Sequence, residues 1–200
     1  SALERITLQR AAVIGRVFWD SAISHMNQMA NEPLHASESL SALHALEKRE
    51  LIFPRQNSII SGTQAYIFKH AMLREVAYES VLLRHRPDYH KQVADWLSAQ
   101  SGERVSEYAG IIAEHYELAN ENLRATELYE TAAVRAEETY NPDVAIDYYG
   151  RALMLLSEKS HEVEWQLRLQ ERLGQLLQQR SRLVEAAQTY MTMRYTAELD

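Results

Sequence analysis

The sequence predicts a mainly α-helical fold with one small β-hairpin in its first half. The 200 residues include only six Gly and four Pro, so long stretches rich in Ala, Leu, Glu, Arg and Gln run with few interruptions. Hydrophobic residues recur at helical spacing along most of the chain. Two short apolar runs, at 51–53 and 65–68, flank a polar segment that contains Gly62. Such a pair of runs is typical of two strands joined by a turn.

The elements expected in residues 1–100 follow the order of a winged-helix domain. Three helices come first, the hairpin follows, and two more helices close the unit. Polar residues 54–64 connect the two strands, and this connection is long enough to form a wing. The breaker Asn31-Glu-Pro33 is expected to end the second helix. The five helices are predicted over 3–17, 21–29, 37–49, 70–83 and 87–100.

The best candidate for a domain boundary is the segment 98–104, which is small and polar and includes Gly102. We therefore expect one domain over 1–100 and another over 101–200. The first contains 11 Lys and Arg against 10 Asp and Glu, and the second contains 10 against 18, which gives balances of +1 and −8. This asymmetry indicates different partners for the two domains, and neither has the strongly basic face of a nucleic-acid binder.

Helical hairpins of a repeat array are expected in residues 101–200. The segment Ala145-Ile-Asp-Tyr-Tyr-Gly-Arg-Ala-Leu153 has its alanine and tyrosine echoed 41 positions later, within 185–190. It resembles the second helix of a tetratricopeptide repeat (TPR), whose usual period is about 34 residues. The resemblance implies TPR-like antiparallel hairpins, with partner helices over 123–140 and 162–179, that start a longer array continuing beyond Asp200 and bind an unidentified protein or peptide. Its core residues would be Ala145, Tyr149, Ala152, Gly174, Ala186 and Tyr190.

The hydrophobic period changes in the middle of residues 66–78. Tyr66 and Phe68 alternate with Ile67 and Lys69 as in a short half-buried strand, whereas Leu73 and Val76 begin a helical pattern. His70 therefore lies at the start of the new helix, where free backbone N–H groups and the helix dipole favour anions. Its imidazole can donate to a phosphate oxygen or cap its own helix, and composition leaves both roles open.

This segment, together with residues 10–19, resembles the winged-helix module of STAND-type signalling ATPases. These P-loop (AAA/NB-ARC-like) ATPases include bacterial cyclase-associated and LuxR-type regulators, and the plant and animal NB-ARC receptors. In them an aromatic-x-His-x-hydrophobic-hydrophobic-Arg pattern places its histidine against bound ADP. The receptors usually carry Asp after the histidine, where this chain has Ala71, so the bacterial ATPases are the closer match. The matching residues are Phe68, His70, Met72, Leu73 and Arg74.

The resemblance implies a non-catalytic regulatory fragment of a multidomain bacterial signal-transduction ATPase. A P-loop domain that binds ATP or ADP with Mg²⁺ would lie upstream of Ser1, and a cyclase or DNA-binding output domain would lie elsewhere. His70 would touch the ADP phosphate in the resting state. Arg74 would approach a phosphate or lock the ATPase domain, or else form an exposed ion pair with Glu75. The fragment itself would need no cofactor, and its location would be cytoplasmic.

Other classes of function lack the residues they require. The chain has no Cys, and its eight His include no i, i+4 pair, which argues against a metal site. No phosphate-binding loop or Gly-x-Ser-x-Gly elbow is present, and no apolar run is long enough to cross a bilayer. The rival hypothesis is a winged-helix transcriptional regulator whose repeats dimerise or bind an inducer. The helix over 37–49 turns basic only at Lys48 and Arg49, and the wing adds only Arg55, so DNA binding is not expected.

Overall fold

The computed structural model describes residues 1–29, 35–56, 58, 60–156 and 163–198. They fall into two compact units, Ser1–Gly102 and Glu103–Asp200. Both are built mainly of helices, and the first also contains a three-stranded antiparallel sheet. Each unit has its own buried core.

The first unit alternates helices with short strands. Its helices pack around α1, which contacts α2, α3, α4 and α5 and buries a run of small and branched side chains near its C-terminal end. The elements in chain order are α1 (Ala2–Ile14), β1 (Val17–Trp19), α2 (Asp20–Gln28), α3 (Ala36–Lys48), β2 (Ile52–Arg55), β3 (Ala65–Phe68), α4 (Ala71–Glu79) and α5 (Arg86–Ser101).

Strand β3 occupies the centre of the sheet, whose order is β1–β3–β2. Both neighbours run antiparallel to it, with Val17 opposite Ile67 in the β1 pair. The ring of Phe18 stacks on Tyr66 with 5.7 Å between centroids, and it contacts Phe68 at 5.2 Å. Because all three rings are buried, this aromatic cluster holds β1 and β3 to the helices beneath them.

Strand β1 corrects the sequence prediction, which placed Val17 in a helix over 3–17. Helix α1 ends at Ile14, and Gly15 follows with a φ of 148°, which residues with a side chain rarely adopt. The chain then extends along the edge of β3. Three residues are too few to display the alternation of a strand, so periodicity in the sequence did not reveal β1.

Strand β2 also differs from the prediction, because it includes Pro54 and Arg55, where a connecting loop was expected. Proline cannot donate a hydrogen bond to a sheet, but β2 is an edge strand and has a free side. Pro54 accordingly lies opposite Tyr66 in the register. The predicted helix breaker at residues 31–33 lies outside the described residues.

The second unit is a series of helices in which each packs against the next. Pro142 occupies the first turn of its helix, a position where the missing N–H costs nothing. The helices are α6 (Val105–Leu118), α7 (Asn122–Glu138), α8 (Pro142–Leu155), α9 (Val163–Gln179) and α10 (Leu183–Glu198).

A tyrosine hydroxyl closes the turn between α6 and α7. Tyr129 is fully buried, and its hydroxyl donates to Glu117 Oε2 at 2.6 Å in the last turn of α6. Asn120 makes the turn with a φ of 61°, and the buried Ala125 lets the two helices approach. Arg151 of α8 donates to the same carboxylate at 2.8 Å and lies over the tyrosine ring. We call this set of contacts the tyrosine latch.

The same latch recurs between α7 and α8 and between α9 and α10. The spacing is the same in each hairpin, counted from the residue that accepts the hydrogen bond of the tyrosine. A residue with positive φ stands three positions later, a buried alanine stands eight positions later, and the tyrosine stands twelve positions later. The hydroxyl lies 2.8 Å from its acceptor in the first of these and 3.4 Å in the second. The residues are Glu137, Tyr140, Ala145 and Tyr149 in one hairpin, and Gln178, Ser181, Ala186 and Tyr190 in the other.

The structure places the six residues assigned to the repeat core in or beside these latches. Ala145, Ala152 and Ala186 are buried, as is Tyr149. Gly174 faces the half-buried ring of Tyr190, where an added Cβ would come within 2.6 Å of a ring carbon. The latch at Tyr129 was not anticipated, because the sequence comparison used a spacing of 41 positions, whereas this copy lies 20 positions upstream of Tyr149.

We expect Ala145→Leu to lower the free energy of unfolding by about 1–3 kcal/mol, because the buried alanine leaves no room for a larger side chain. In the same helix, Gly150→Ala should raise it by up to about 1 kcal/mol, since alanine favours the helix and a Cβ there meets no atom within 4 Å. Urea unfolding of the two variants measures both effects. Equal stabilities would contradict the packing described for the latch.

Candidate functional site

His70 lies in the first unit immediately before α4, as its N-terminal cap residue. The backbone there is extended, with φ −129° and ψ 138°, and the side chain is exposed. The imidazole makes no capping hydrogen bond within the described residues. Of the two roles that the sequence left open, the structure therefore does not provide the cap, and it leaves the imidazole available at a helix N-terminus.

Arg74 points in the opposite direction, into the first unit. Its Nε donates to the carbonyl oxygen of Ala12 in α1 at 3.1 Å, and its guanidinium lies 5.8 Å from the ring centre of Tyr78. The side chain is half-buried. This placement differs from the exposed ion pair with Glu75, and it fastens α4 to α1.

Three further contacts fasten α4 along its inner side. Gln9 donates to the carbonyl of Ser80 at 3.0 Å, just beyond the helix. Arg86 donates to the carbonyl oxygens of Tyr78, Glu79 and Val81 at 3.2–3.3 Å, so a cation occupies the negative end of the helix dipole. Tyr78 also hydrogen-bonds to His90 Nε2 in α5 at 2.9 Å. Helix α4 is thus held rigidly against the body of the unit.

The outer side of α4, in contrast, is apolar and exposed. Met72 is 72% exposed and Val76 is 63% exposed, and their spacing places them on one face of the helix. Leu82 and Leu83, which follow the helix, are also exposed. We call His70, Met72 and Val76 the α4 face. Exposed apolar residues beside a polar donor are typical of a surface that contacts another protein.

The buried His90 makes the attachment of α4 sensitive to acid. Burial, together with the positive charges of Arg74 and Arg86, lowers the pKa of His90 to about 4. In the unfolded chain this pKa is about 6.5. Because the unfolded state binds the proton first, the stability contributed by neutral His90 is present above pH 6.5 and is lost as the pH falls toward 4.

We expect the free energy of unfolding to fall by about 2–3 kcal/mol between pH 7 and pH 4.5 through His90 alone. In His90→Gln this part of the pH dependence should disappear, since glutamine does not titrate. Urea unfolding of both proteins at the two pH values gives the difference. The same loss in the variant and in the unchanged protein would show that other groups cause it.

In the second unit, a groove runs along the outer face of α7. One part, of about 510 Å³, lies against Ser106 of α6, and another, of about 380 Å³, lies against α9. The two parts share Glu130 and Val134 and are therefore continuous. We call this surface the α7 groove, and its α7 wall is formed by Glu127, Glu130, Thr131, Val134, Arg135 and Glu138.

The carboxylates of the α7 groove differ in their partners. Glu130 accepts hydrogen bonds from Trp165 Nε1 at 2.7 Å and from Arg168 at 3.0 Å, so its charge is compensated. Glu127 and Glu138 are exposed and belong to none of the ion pairs found among the described residues. Between them, Val134 is 44% exposed. The groove therefore combines an apolar centre with an uncompensated negative charge on each side.

Sequence reasoning missed this groove because two adjacent acidic residues, Glu137 and Glu138, do not by themselves indicate which of them contacts a neighbouring helix. The structure separates them, since Glu137 accepts from Tyr149 and Arg172 within a latch, whereas Glu138 lines the groove. The signal that could have found it is the stripe at 127, 130, 134 and 138, whose spacing repeats one helical face.

The described residues contain no group of three or more His, Asp or Glu side chains placed to hold a metal ion. Among the same residues, no helix combines the length and the apolar character needed to cross a membrane. Comparison of the chain with known protein families, with curated proteins and with solved structures finds no match. The α4 face and the α7 groove are therefore the two surfaces that can indicate a function.

Proposed function

We propose that the chain is the regulatory part of a multidomain signalling ATPase of the STAND type. In this proposal the first unit is a winged-helix module that contacts the nucleotide state of an upstream P-loop domain, and the second unit is a TPR-like array that binds a partner. The chain itself performs no catalysis. The proposal includes a cytoplasmic location, where ATP and a signalling partner are both present.

The observation that carries the proposal is the α4 face. An unbonded imidazole at a helix N-terminus is suited to donate to a phosphate oxygen, and the exposed Met72 and Val76 beside it are suited to contact another domain. The order of elements in the first unit, with a central strand paired on both sides, is consistent with a winged helix. The recurring latches of the second unit are consistent with a repeat array.

The proposed mechanism is a two-state switch. ADP and its Mg²⁺ are held by the P-loop domain, and this chain contributes His70, which donates to the phosphate only when α4 is docked. Because Arg74, Arg86 and His90 fasten α4 to its unit, docking moves the unit as one body. A partner bound to the repeats shifts the equilibrium toward the open ATP state, to the extent that it binds that state more tightly.

We expect His70→Ala in the full-length protein to speed ADP release by roughly tenfold to a hundredfold. A hydrogen bond to a charged group contributes about 1.5–3 kcal/mol, and this bond exists only in the closed state. The stability of the 200-residue chain should not change, since the imidazole makes no capping bond to any residue that the structure describes. Stopped-flow release of a fluorescent ADP analogue measures the rate.

The matched control is His44→Ala, because His44 is also exposed but lies on α3. It should leave ADP release unaltered. If His70→Ala behaves like this control, the role of His70 in nucleotide sensing is excluded. If the substitution instead lowers the stability of the chain, His70 has a structural function that the geometry does not explain.

We expect the chain not to bind a short DNA duplex at physiological salt, so the duplex should migrate at its normal rate in a gel. Arg49, which follows α3, pairs with Glu4 at 3.1 Å, whereas Lys48 and Arg55 near the candidate recognition surface are exposed and form no ion pair among the described residues. Affinity for phosphates increases with the number of cations presented, and two contribute little. A gel-shift assay tests this. Retention that is lost in Lys48→Ala and Arg55→Ala would favour the rival function, a DNA-binding transcriptional regulator.

A further inference from the structure

The α7 groove limits the kind of partner that the repeats can accept. Its carboxylates Glu127 and Glu138 lie on one face of α7, about 16 Å apart along the helix axis at a rise of 1.5 Å per residue. The exposed Val134 lies between them, about 10 Å from the first and about 6 Å from the second. Glu130 contributes little charge, because Arg168 and Trp165 already occupy its oxygens.

The cations near the groove are engaged elsewhere. Arg135 lines the groove, but its Nη1 donates to Ser106 Oγ at 3.3 Å and its charge acts on Glu107 of α6. Arg172 donates to Glu137 at 3.0 Å. An acidic ligand would therefore be repelled by Glu127 and Glu138. A basic ligand would be attracted by the same two carboxylates, which have no counter-ion among the described residues. Residues 101–200 carry a balance of −8, which adds long-range attraction for cations.

The dimensions favour an extended chain over a helix. A strand rises by about 3.3 Å per residue and points alternate side chains to opposite faces, so two cations that reach both carboxylates from one face stand about six positions apart, and their flexible side chains take up the difference in length. A helix of the same length is about 10 Å wide and occupies more than about 1,000 Å³. The larger part of the groove measures about 510 Å³, which fits a single extended segment.

We propose that the α7 groove binds an extended basic segment of a partner protein, with two Lys or Arg about six residues apart and an apolar residue between them. The cations pair with Glu127 and Glu138, and the apolar side chain covers Val134. The apolar residue stands four positions from one cation and two from the other, so all three side chains lie on the same face of the extended segment. This inference rests on the proposed partner-binding function of the repeats and names its chemistry.

The test uses the 200-residue chain and a fluorescein-labelled peptide with the core Lys-Ser-Ser-Ser-Leu-Ser-Lys. Anisotropy titrations should show binding that weakens between about 0.05 M and about 0.5 M salt. The double variant Glu127→Gln, Glu138→Gln should bind about three- to tenfold more weakly, because each exposed pair contributes modestly. Both positions are exposed, so thermal unfolding of the variant should match that of the unchanged chain.

The controls isolate charge, spacing and position. The double variant Glu75→Gln, Glu164→Gln alters the same number of exposed carboxylates outside the groove and should bind as the unchanged chain does. Peptides with both lysines replaced by glutamate, or with the lysines only two residues apart, should bind more weakly. Absence of binding by the basic peptide overturns the proposal, as does equal loss in the two double variants or equal binding of the glutamate peptide.

A second measurement separates this inference from the proposed function. Val134→Arg in the full-length protein places a cation in the groove and should abolish the response to the natural stimulus, while ADP release without stimulus stays unchanged. If the response is lost but no basic peptide binds, the repeats still bind a partner, and only the inference that the partner segment is basic is wrong. If the response persists, the groove is not the binding surface.

Discussion

The hydrogen bond from a buried tyrosine hydroxyl to the last turn of the preceding helix determines the geometry of the second unit. Burial and the neighbouring carboxylate raise the pKa of Tyr129 and of Tyr149, so both hydroxyls remain donors at any physiological pH. Each bond fixes one helix against the next, and an alanine one turn earlier allows the close approach. Arg151 and Arg172 then join the latches of Tyr129 and Tyr149, respectively, to a helix further along the chain. The α7 groove exists because α7 takes part in two latches.

This arrangement turns the inner side chains of α7 toward its neighbours and leaves one stripe facing outward. Tyr129 and Glu137 serve the latches, and Glu127, Val134 and Glu138 remain on the outer face. The latch residues cannot change without loss of packing. The residues of the outer stripe are not constrained in this way, so they are the part of α7 that is suited to bind a partner. Packing and recognition are therefore assigned to different faces of one helix.

The first unit uses the same separation on α4. Its inner side is fastened by Arg74, Arg86 and the contact between Tyr78 and His90, and these are polar contacts over a short nine-residue helix. A helix of this length has little stability alone, so the fastening supplies the rigidity. The outer side then presents His70, Met72 and Val76 in fixed positions. A rigid apolar face with one polar donor suits a contact that must form and break as a unit.

The sequence by itself determined the helical class, the order of the helices and of the two hairpin strands, and the change of period at His70, because these depend on local spacing of apolar residues. It also found the alanine and tyrosine of two latches, since their spacing repeats along the chain. Strand β1 forms because it pairs with the free edge of β3, and no local pattern in the sequence indicates this pairing. The inward direction of Arg74, the pairing of Glu137 and the exposure of Glu127 and Glu138 were decided only when distant helices came together. Such contacts join residues far apart in the chain, and tertiary packing alone selects among the partners that each side chain could take.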